Sequence, residues 1–184
     1  MKIISPSPML CNHHSLAINE QSDFTRRIPA LSQKQLARDG KIAGQIIRAY
    51  EEENGVEKVK AIFFHKAKLL SNPRYWELLR SVWIVAGSTE NADEFRPYFM
   101  SSRPCKGWFM TVEDAEALEK MSFPITVYRA YSQDPDSGIS WTLDENWCKG
   151  YAQVHGRKVK SRTVERKDIF AYISRRGEEE IIIL

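Results

Sequence analysis

The spacing of apolar and polar positions predicts helices over about the first two thirds of the chain. Residues 32–54 carry apolar side chains every three or four positions, as in an amphipathic helix, although a break near Gly40 stays open because glycine weakens a helix interior. Residues 60–64 form a short apolar run that fits either a strand or the start of a helix. Pro73 suits a first helical turn, and the large apolar residues after it predict a helix that ends near Gly87.

Two shorter helices complete this helical part. The first is predicted at residues 91–100. The second begins at Thr111, whose hydroxyl can cap a helix with Asp114 three positions on, and it ends near Met121. Residues 1–30 are interrupted by proline and serine without a sustained period, which predicts an irregular or partly extended arm.

After Pro124 the pattern changes to short runs of β-branched and aromatic residues. These runs predict strands separated by turn-forming residues at 125–130, 139–143, 169–173 and 178–184. Between the second and third strands, Asp144 caps a helix that ends near Gly156. Helices followed by strands indicate an α+β fold. We expect a single domain over 1–184, with residues 1–123 mostly helical and 124–184 rich in strands.

The composition is that of a folded protein with a mild basic bias. Of 184 residues, 42% are hydrophobic, 11% aromatic and 28% charged, so a buried core is expected and disorder is not. The net charge of +3 favours an anionic ligand but falls short of a dedicated nucleic-acid binder. Basic residues concentrate at 157–167, where a solvated loop is the favoured interpretation and a nucleic-acid contact the alternative.

The cysteine and histidine pattern predicts no metal site. Cys11, Cys105 and Cys148 are far apart and form no CxxC pair, while the adjacent His13 and His14 would point to opposite faces of a strand. Such cysteines suit reduced thiols. The N-terminus has no apolar signal segment, and no run approaches the ~20 apolar residues that span a bilayer. We therefore expect a cytoplasmic protein without a membrane partner.

Polar side chains interrupt the predicted strands at positions that suggest chemistry. Arg129 lies in an apolar strand, where an unpaired charge is costly; an edge-strand arginine that reaches solvent is the alternative. Ser140 and Thr142 alternate with Trp141, so both hydroxyls share one face of their strand and the indole takes the other. That hydroxyl face can border a ligand or simply face solvent.

The acidic triplet before the last aliphatic run places two carboxylates on one face. Glu178 and Glu180 alternate with Glu179, and their positions are about 6–7 Å apart along a strand. Like charges at that distance favour protonation of one of them, which suits proton handling. A charged strand start beside Arg175 and Arg176 is the alternative interpretation.

In chain order, these three motifs resemble the arginine–serine–glutamate clade of the ADP-ribosyltransferase superfamily. The matching segments, which lie within residues 124–184, are Val127-Tyr128-Arg129, Ser140-Trp141-Thr142 and Glu178-Glu179-Glu180 with the isoleucines that follow. The resemblance implies an ADP-ribosyltransferase-like split β-sandwich with a helical N-terminal region. It also implies a pentosyl transferase that moves ADP-ribose from NAD, its co-substrate, to a protein acceptor at arginine, without a metal.

The resemblance also assigns roles to individual residues. Glu180 would stabilise the positive charge that develops on the ribose, Glu178 would orient the acceptor arginine, and Ser140 would brace Glu180. Arg129 would hold a phosphate or ribose oxygen of NAD. The candidate catalytic residues are thus Glu180, Glu178, Arg129 and Ser140, and the candidate NAD-binding residues are Arg129, Tyr128, Ser140, Trp141, Thr142 and Tyr151.

Other functional classes stay open from the sequence. An NAD glycohydrolase would use the same residues with water as acceptor, and a non-catalytic NAD-binding or interaction protein would keep only the fold. A nucleic-acid binder would use the basic stretch at 157–167. By analogy, a compact transferase without a delivery signal suits a phage or bacterial effector or anti-defence protein in its own or a host's cytoplasm.

Overall fold

The computed structural model describes residues 30–87, 91–134, 138–175 and 178–184, with the backbone alone for Arg175 and Glu178. Within these ranges the protein has an α+β architecture of six α-helices and one antiparallel sheet of five strands. The arm predicted for residues 1–30 lies outside them except for Ala30. None of the described helices is both long and apolar enough to cross a bilayer.

The helices occupy most of the positions that the sequence predicts. They are α1 Gln33–Tyr50, α2 Gly55–Lys66, α3 Asn72–Ala86, α4 Ala92–Phe99, α5 Val112–Glu119 and α6 Glu145–Val154. Single turns of 3-10 helix lie at Ala67–Leu69, Lys106–Phe109 and Arg166–Asp168. The run at 60–64 is helical and not a strand, because it continues a helix that begins at Gly55. The first helix passes through Gly40 without the break that glycine allowed.

Side-chain caps fix the starts of three described helices, and one of them is the predicted cap at Asp144, which accepts from the Trp147 N–H at 2.9 Å at the start of α6. The Ser32 hydroxyl accepts a hydrogen bond from the backbone N–H of Gln35 at 3.2 Å, at the start of α1. At α5, Thr111 accepts from the Asp114 N–H at 3.1 Å, and the Asp114 carboxylate accepts from the Thr111 N–H at 3.4 Å. The capped start predicted at Thr111 is confirmed.

The strands are β1 Ile125–Tyr131, β2 Ser140–Thr142, β3 Lys158–Val164, β4 Ala171–Arg175 and β5 Glu178–Ile182. They pair in the order β3-β1-β2-β5-β4, so the strands of the three motifs, β1, β2 and β5, are neighbours. The loop interpretation of the basic stretch is wrong for 158–164, which pairs along β1 as an edge strand. Its β-branched residues alternate with charges that an exposed edge tolerates.

The register divides the sheet into two faces. Tyr128 lies opposite Thr142, and Thr142 lies opposite Glu180, so these side chains point to the same side of the sheet as Ser140. We call this the glutamate face, defined by Tyr128, Ser140, Thr142 and Glu180. The reverse side, defined by Arg129, Trp141 and Ile181, is the tryptophan face.

One hydrophobic cluster joins the helices to the sheet. Phe170, just before β4, packs against three aromatic rings of the helical part at centroid distances of 5.4–6.0 Å: those of Trp76, Phe99 and Phe109. The buried Asp114 adds a polar link, because its carboxylate accepts from Arg80 in α3 at 2.6 Å and from the Ser174 N–H in β4 at 3.0 Å. Strands and helices therefore stabilise each other.

Candidate functional site

The centre of the candidate site is a hydrogen bond between neighbouring strands. The Ser140 hydroxyl donates to Oε1 of Glu180 at 2.5 Å. Both residues are half-buried. The pairing of β2 with β5 brings the serine and glutamate motifs together.

A helix contributes a second donor to the same oxygen. The indole N–H of Trp83, in α3, donates to Oε1 of Glu180 at 3.0 Å. Trp83 is one of the large apolar residues that predict the helix after Pro73, and it is buried, with 3% of its surface exposed. A buried indole N–H needs an acceptor, but the helical period does not reveal which one.

Arg129 is buried on the tryptophan face, where the sheet separates it from Glu180. Its guanidinium donates to the carbonyl oxygens of Gly138 at 3.1 Å and Asp134 at 3.4 Å. It lies 5.1 Å from the ring centre of Trp141. This placement differs from the expected shared cleft, because Tyr128 and not Arg129 lies opposite Thr142. The edge-strand alternative also fails, since β1 pairs on both sides.

The turn before β2 is shaped around this guanidinium. Gly138 has a φ of +88°, in the region that favours glycine. A Cβ at this position would lie 3.2 Å from Nη1 of Arg129. The arginine thus fixes the backbone two residues before Ser140. Residues 135–137 of the predicted turn lie outside the described part of the chain.

Trp141 contacts two cations and points away from the Ser140 hydroxyl. The guanidinium carbons of Arg129 and Arg162 lie 5.1 Å and 4.6 Å from its ring centre. The indole is buried on the tryptophan face, as strand alternation predicts. A nicotinamide bound beside Glu180 would therefore not stack on Trp141.

The remaining predicted binding residues, Tyr128, Thr142 and Tyr151, lie in or next to α6. The Thr142 hydroxyl accepts from the Asp144 N–H at 3.1 Å and so shapes the turn into α6. Tyr128 and Tyr151 pack against a small buried cluster of Ala130, Cys148 and Ala152. Tyr151 also stacks on Trp147, with ring centres 5.3 Å apart. Of this group, Tyr128 and Thr142 share the face of Glu180.

The other two glutamates of the acidic triplet differ in position. Glu178 pairs with Arg175 in the backbone register of β4 and β5, and its side chain lies outside the described part of the chain. Glu179 is exposed on the face opposite to that of Glu180 and accepts from the Tyr172 hydroxyl at 3.3 Å. Burial, followed by the nearby Glu179 charge, raises the pKa of Tyr172. Glu179 is thus a built-in control for Glu180.

The described residues also include two thiols and a surface groove. No group of three or more histidine, cysteine or acidic side chains in these ranges could hold a metal ion. Cys105 and Cys148 are free thiols, and burial raises the pKa of Cys148. A groove of about 370 Å³ lies between α1 and α2, lined by residues such as Arg48, Lys58 and Lys66; none of its lining residues lies in the sheet.

Comparison with known proteins identifies no relative. No protein-family model matches the chain, and no curated protein or solved structure is significantly similar to it. The function must therefore be inferred from the motifs and from the geometry of Ser140 and Glu180.

Proposed function

We propose that this protein is a mono-ADP-ribosyltransferase that transfers ADP-ribose from NAD to a protein acceptor, with arginine as the expected target residue. The observation that supports this most directly is the hydrogen bond from Ser140 to Glu180 across β2 and β5. It joins the serine and glutamate motifs, which lie about 40 positions apart in the sequence, in one half-buried site. We also propose that the α+β architecture is the split β-sandwich of the ADP-ribosyltransferase superfamily.

The chemistry requires a carboxylate near the breaking bond. The bond between ribose C1′ and the nicotinamide nitrogen breaks, the electron pair leaves with nicotinamide, and positive charge develops on the ribose. In the proposal the Glu180 carboxylate stabilises this charge, and such stabilisation is effective where water is partly excluded. A nitrogen of the acceptor then bonds to C1′ and releases a proton, for which Glu178 is the proposed base.

Ser140 and Arg129 support this carboxylate in different ways. Ser140 holds one carboxylate oxygen, which orients the group before the substrate binds. Arg129 donates to the backbone of the turn that leads into Ser140, so we assign it a positioning role in place of the expected phosphate contact. Tyr128 and Thr142 share the face of Glu180 and are the proposed neighbours of bound NAD.

The test is ADP-ribose transfer from labelled NAD in a cell lysate. Wild type should label discrete protein bands, and Glu180→Gln should reduce the label by about 100-fold or more, because one electrostatic contact to a transition state is worth about that much. Glu179→Gln should label like wild type, since Glu179 lies on the other face. Equal labelling by wild type and Glu180→Gln would contradict the proposal, and nicotinamide release without labelled bands would indicate a glycohydrolase.

A further inference from the structure

The indole of Trp83 is held in one orientation by its surroundings. The rings of Phe95 and Phe99 meet it edge to face, with centres 5.1 Å and 5.3 Å away. Gly87 leaves room for it on another side, because a Cβ there would lie 2.3 Å from Cε3 of the indole. A ring clamped in this way cannot turn its N–H away from Glu180 without moving its neighbours.

Trp83 and Ser140 approach the carboxylate from different parts of the fold. The indole N–H comes from α3 and the hydroxyl from β2, yet both donate to Oε1 of Glu180. Hydrogen bonds to a charged acceptor are stronger than neutral ones, and two donors fix a side chain better than one. The helical part thereby contributes directly to the geometry of the candidate site.

We propose that Trp83 is a positioning residue for Glu180, and that the helical part of the chain sets the orientation of this carboxylate through it. The catalytic consequence depends on the proposed ADP-ribosyl transfer, whereas the contact itself does not. A residue that served core packing alone would not depend on its indole N–H, whereas a positioning residue depends on the hydrogen bond to Glu180.

Trp76 provides a matched control in the same helix. It lies about two turns before Trp83, is likewise buried, and donates its indole N–H at 2.8 Å to the carbonyl oxygen of Pro104. Trp76→Phe therefore loses a similar volume and one indole hydrogen bond without touching Glu180. Comparison with Trp83→Phe separates loss of packing from loss of the carboxylate contact.

The first measurement is steady-state turnover of NAD. Trp83→Phe should lower kcat by about 10- to 100-fold with little change in KM, because small displacements of a reacting group cost that much. Trp76→Phe should keep kcat close to that of wild type, although its melting temperature should fall about as far as that of Trp83→Phe. Unchanged kcat in Trp83→Phe would overturn the positioning role.

The second measurement needs no NAD and keeps Trp83 in place. In ¹⁵N-tryptophan spectra, Glu180→Gln should shift the indole N–H resonance of Trp83 and leave that of Trp76 unchanged; each is assigned by its loss in the corresponding phenylalanine variant. An unmoved Trp83 resonance would overturn the inference even if wild type is active. An inactive wild type with a shifted resonance would contradict only the proposed transfer reaction.

Discussion

At the scale of single residues, Glu180 depends on contacts that the neighbouring glutamate lacks. Oε1 of Glu180 accepts from Ser140 and Trp83, whereas Glu179 points to the other face and accepts from Tyr172. Two adjacent, chemically identical side chains therefore occupy different environments because strand alternation separates them. Of these two glutamates, only Glu180 should therefore affect activity when it is substituted.

Removal of the Ser140 hydroxyl should reduce activity without unfolding the protein. Ser140→Ala deletes a donor to a charged acceptor, a contact worth about 1.5–3 kcal/mol, so kcat for NAD turnover should fall about tenfold or more. Ser161→Ala, at an exposed position of β3, is the control and should match wild type. Full activity in Ser140→Ala would show that the hydroxyl does not orient the carboxylate.

Replacement of Asp114 should instead reduce stability. This carboxylate is 2% exposed and accepts from Arg80, from the Ser174 N–H and from the Thr111 N–H. Asp114→Ala leaves Arg80 without this ion pair and removes the carboxylate half of the α5 capping box, which should lower the free energy of unfolding by about 3 kcal/mol in urea titrations. Glu113→Ala, exposed in the same helix, should change it by less than about 0.5 kcal/mol. Similar losses in both variants would show that the contacts of Asp114 with Arg80, Ser174 and Thr111 do not stabilise the fold.

At the scale of elements, alternation within a strand was predictable but register between strands was not. The shared face of Ser140 and Thr142 follows from period two and agrees with their pairing to β5. The face of Arg129 depends on how β1 aligns with β2, and a strand as short as β2 fixes that register weakly in sequence. The same limit applies to β3, whose charges resemble those of a loop until its pairing with β1 is known.

The turn into β2 should be sensitive to an added methyl group. Gly138→Ala places a Cβ near the Arg129 guanidinium at a φ of +88°, so it should destabilise the protein by about 1 kcal/mol or more and lower NAD turnover. Gly150→Ala adds the same atom in α6, where nothing lies within 4 Å. It should stabilise the protein by up to about 1 kcal/mol, since alanine favours a helix. Equal thermal stability of the two variants would contradict this account of the turn.

At the scale of the whole molecule, the helical part and the sheet share one core, and a contact spanning 97 positions joins them at Glu180. Helix and strand positions were largely readable from hydrophobic periods. Contacts such as that of Trp83 with Glu180 could not be predicted, because the hydrophobic period shows which face of an element a residue occupies and not which residue lies opposite.

The shared core predicts that the chain unfolds as one unit. Far-UV circular dichroism and tryptophan fluorescence should give superimposable urea transitions, because the helices and strands lose the same contacts together. A sheet that melts separately from the helices would give two midpoints. That result would contradict the view that α3 sets the geometry of the site.

Above all, the proposal requires that the Glu180 carboxylate stabilises the positive charge that develops on the ribose of NAD. The most direct test is nicotinamide release by purified protein supplied with NAD and an arginine-rich acceptor protein. Wild type and Glu179→Gln should release nicotinamide at the same rate, and Glu180→Gln should be slower by about 100-fold or more. Equal rates for Glu180→Gln and Glu179→Gln would contradict the account.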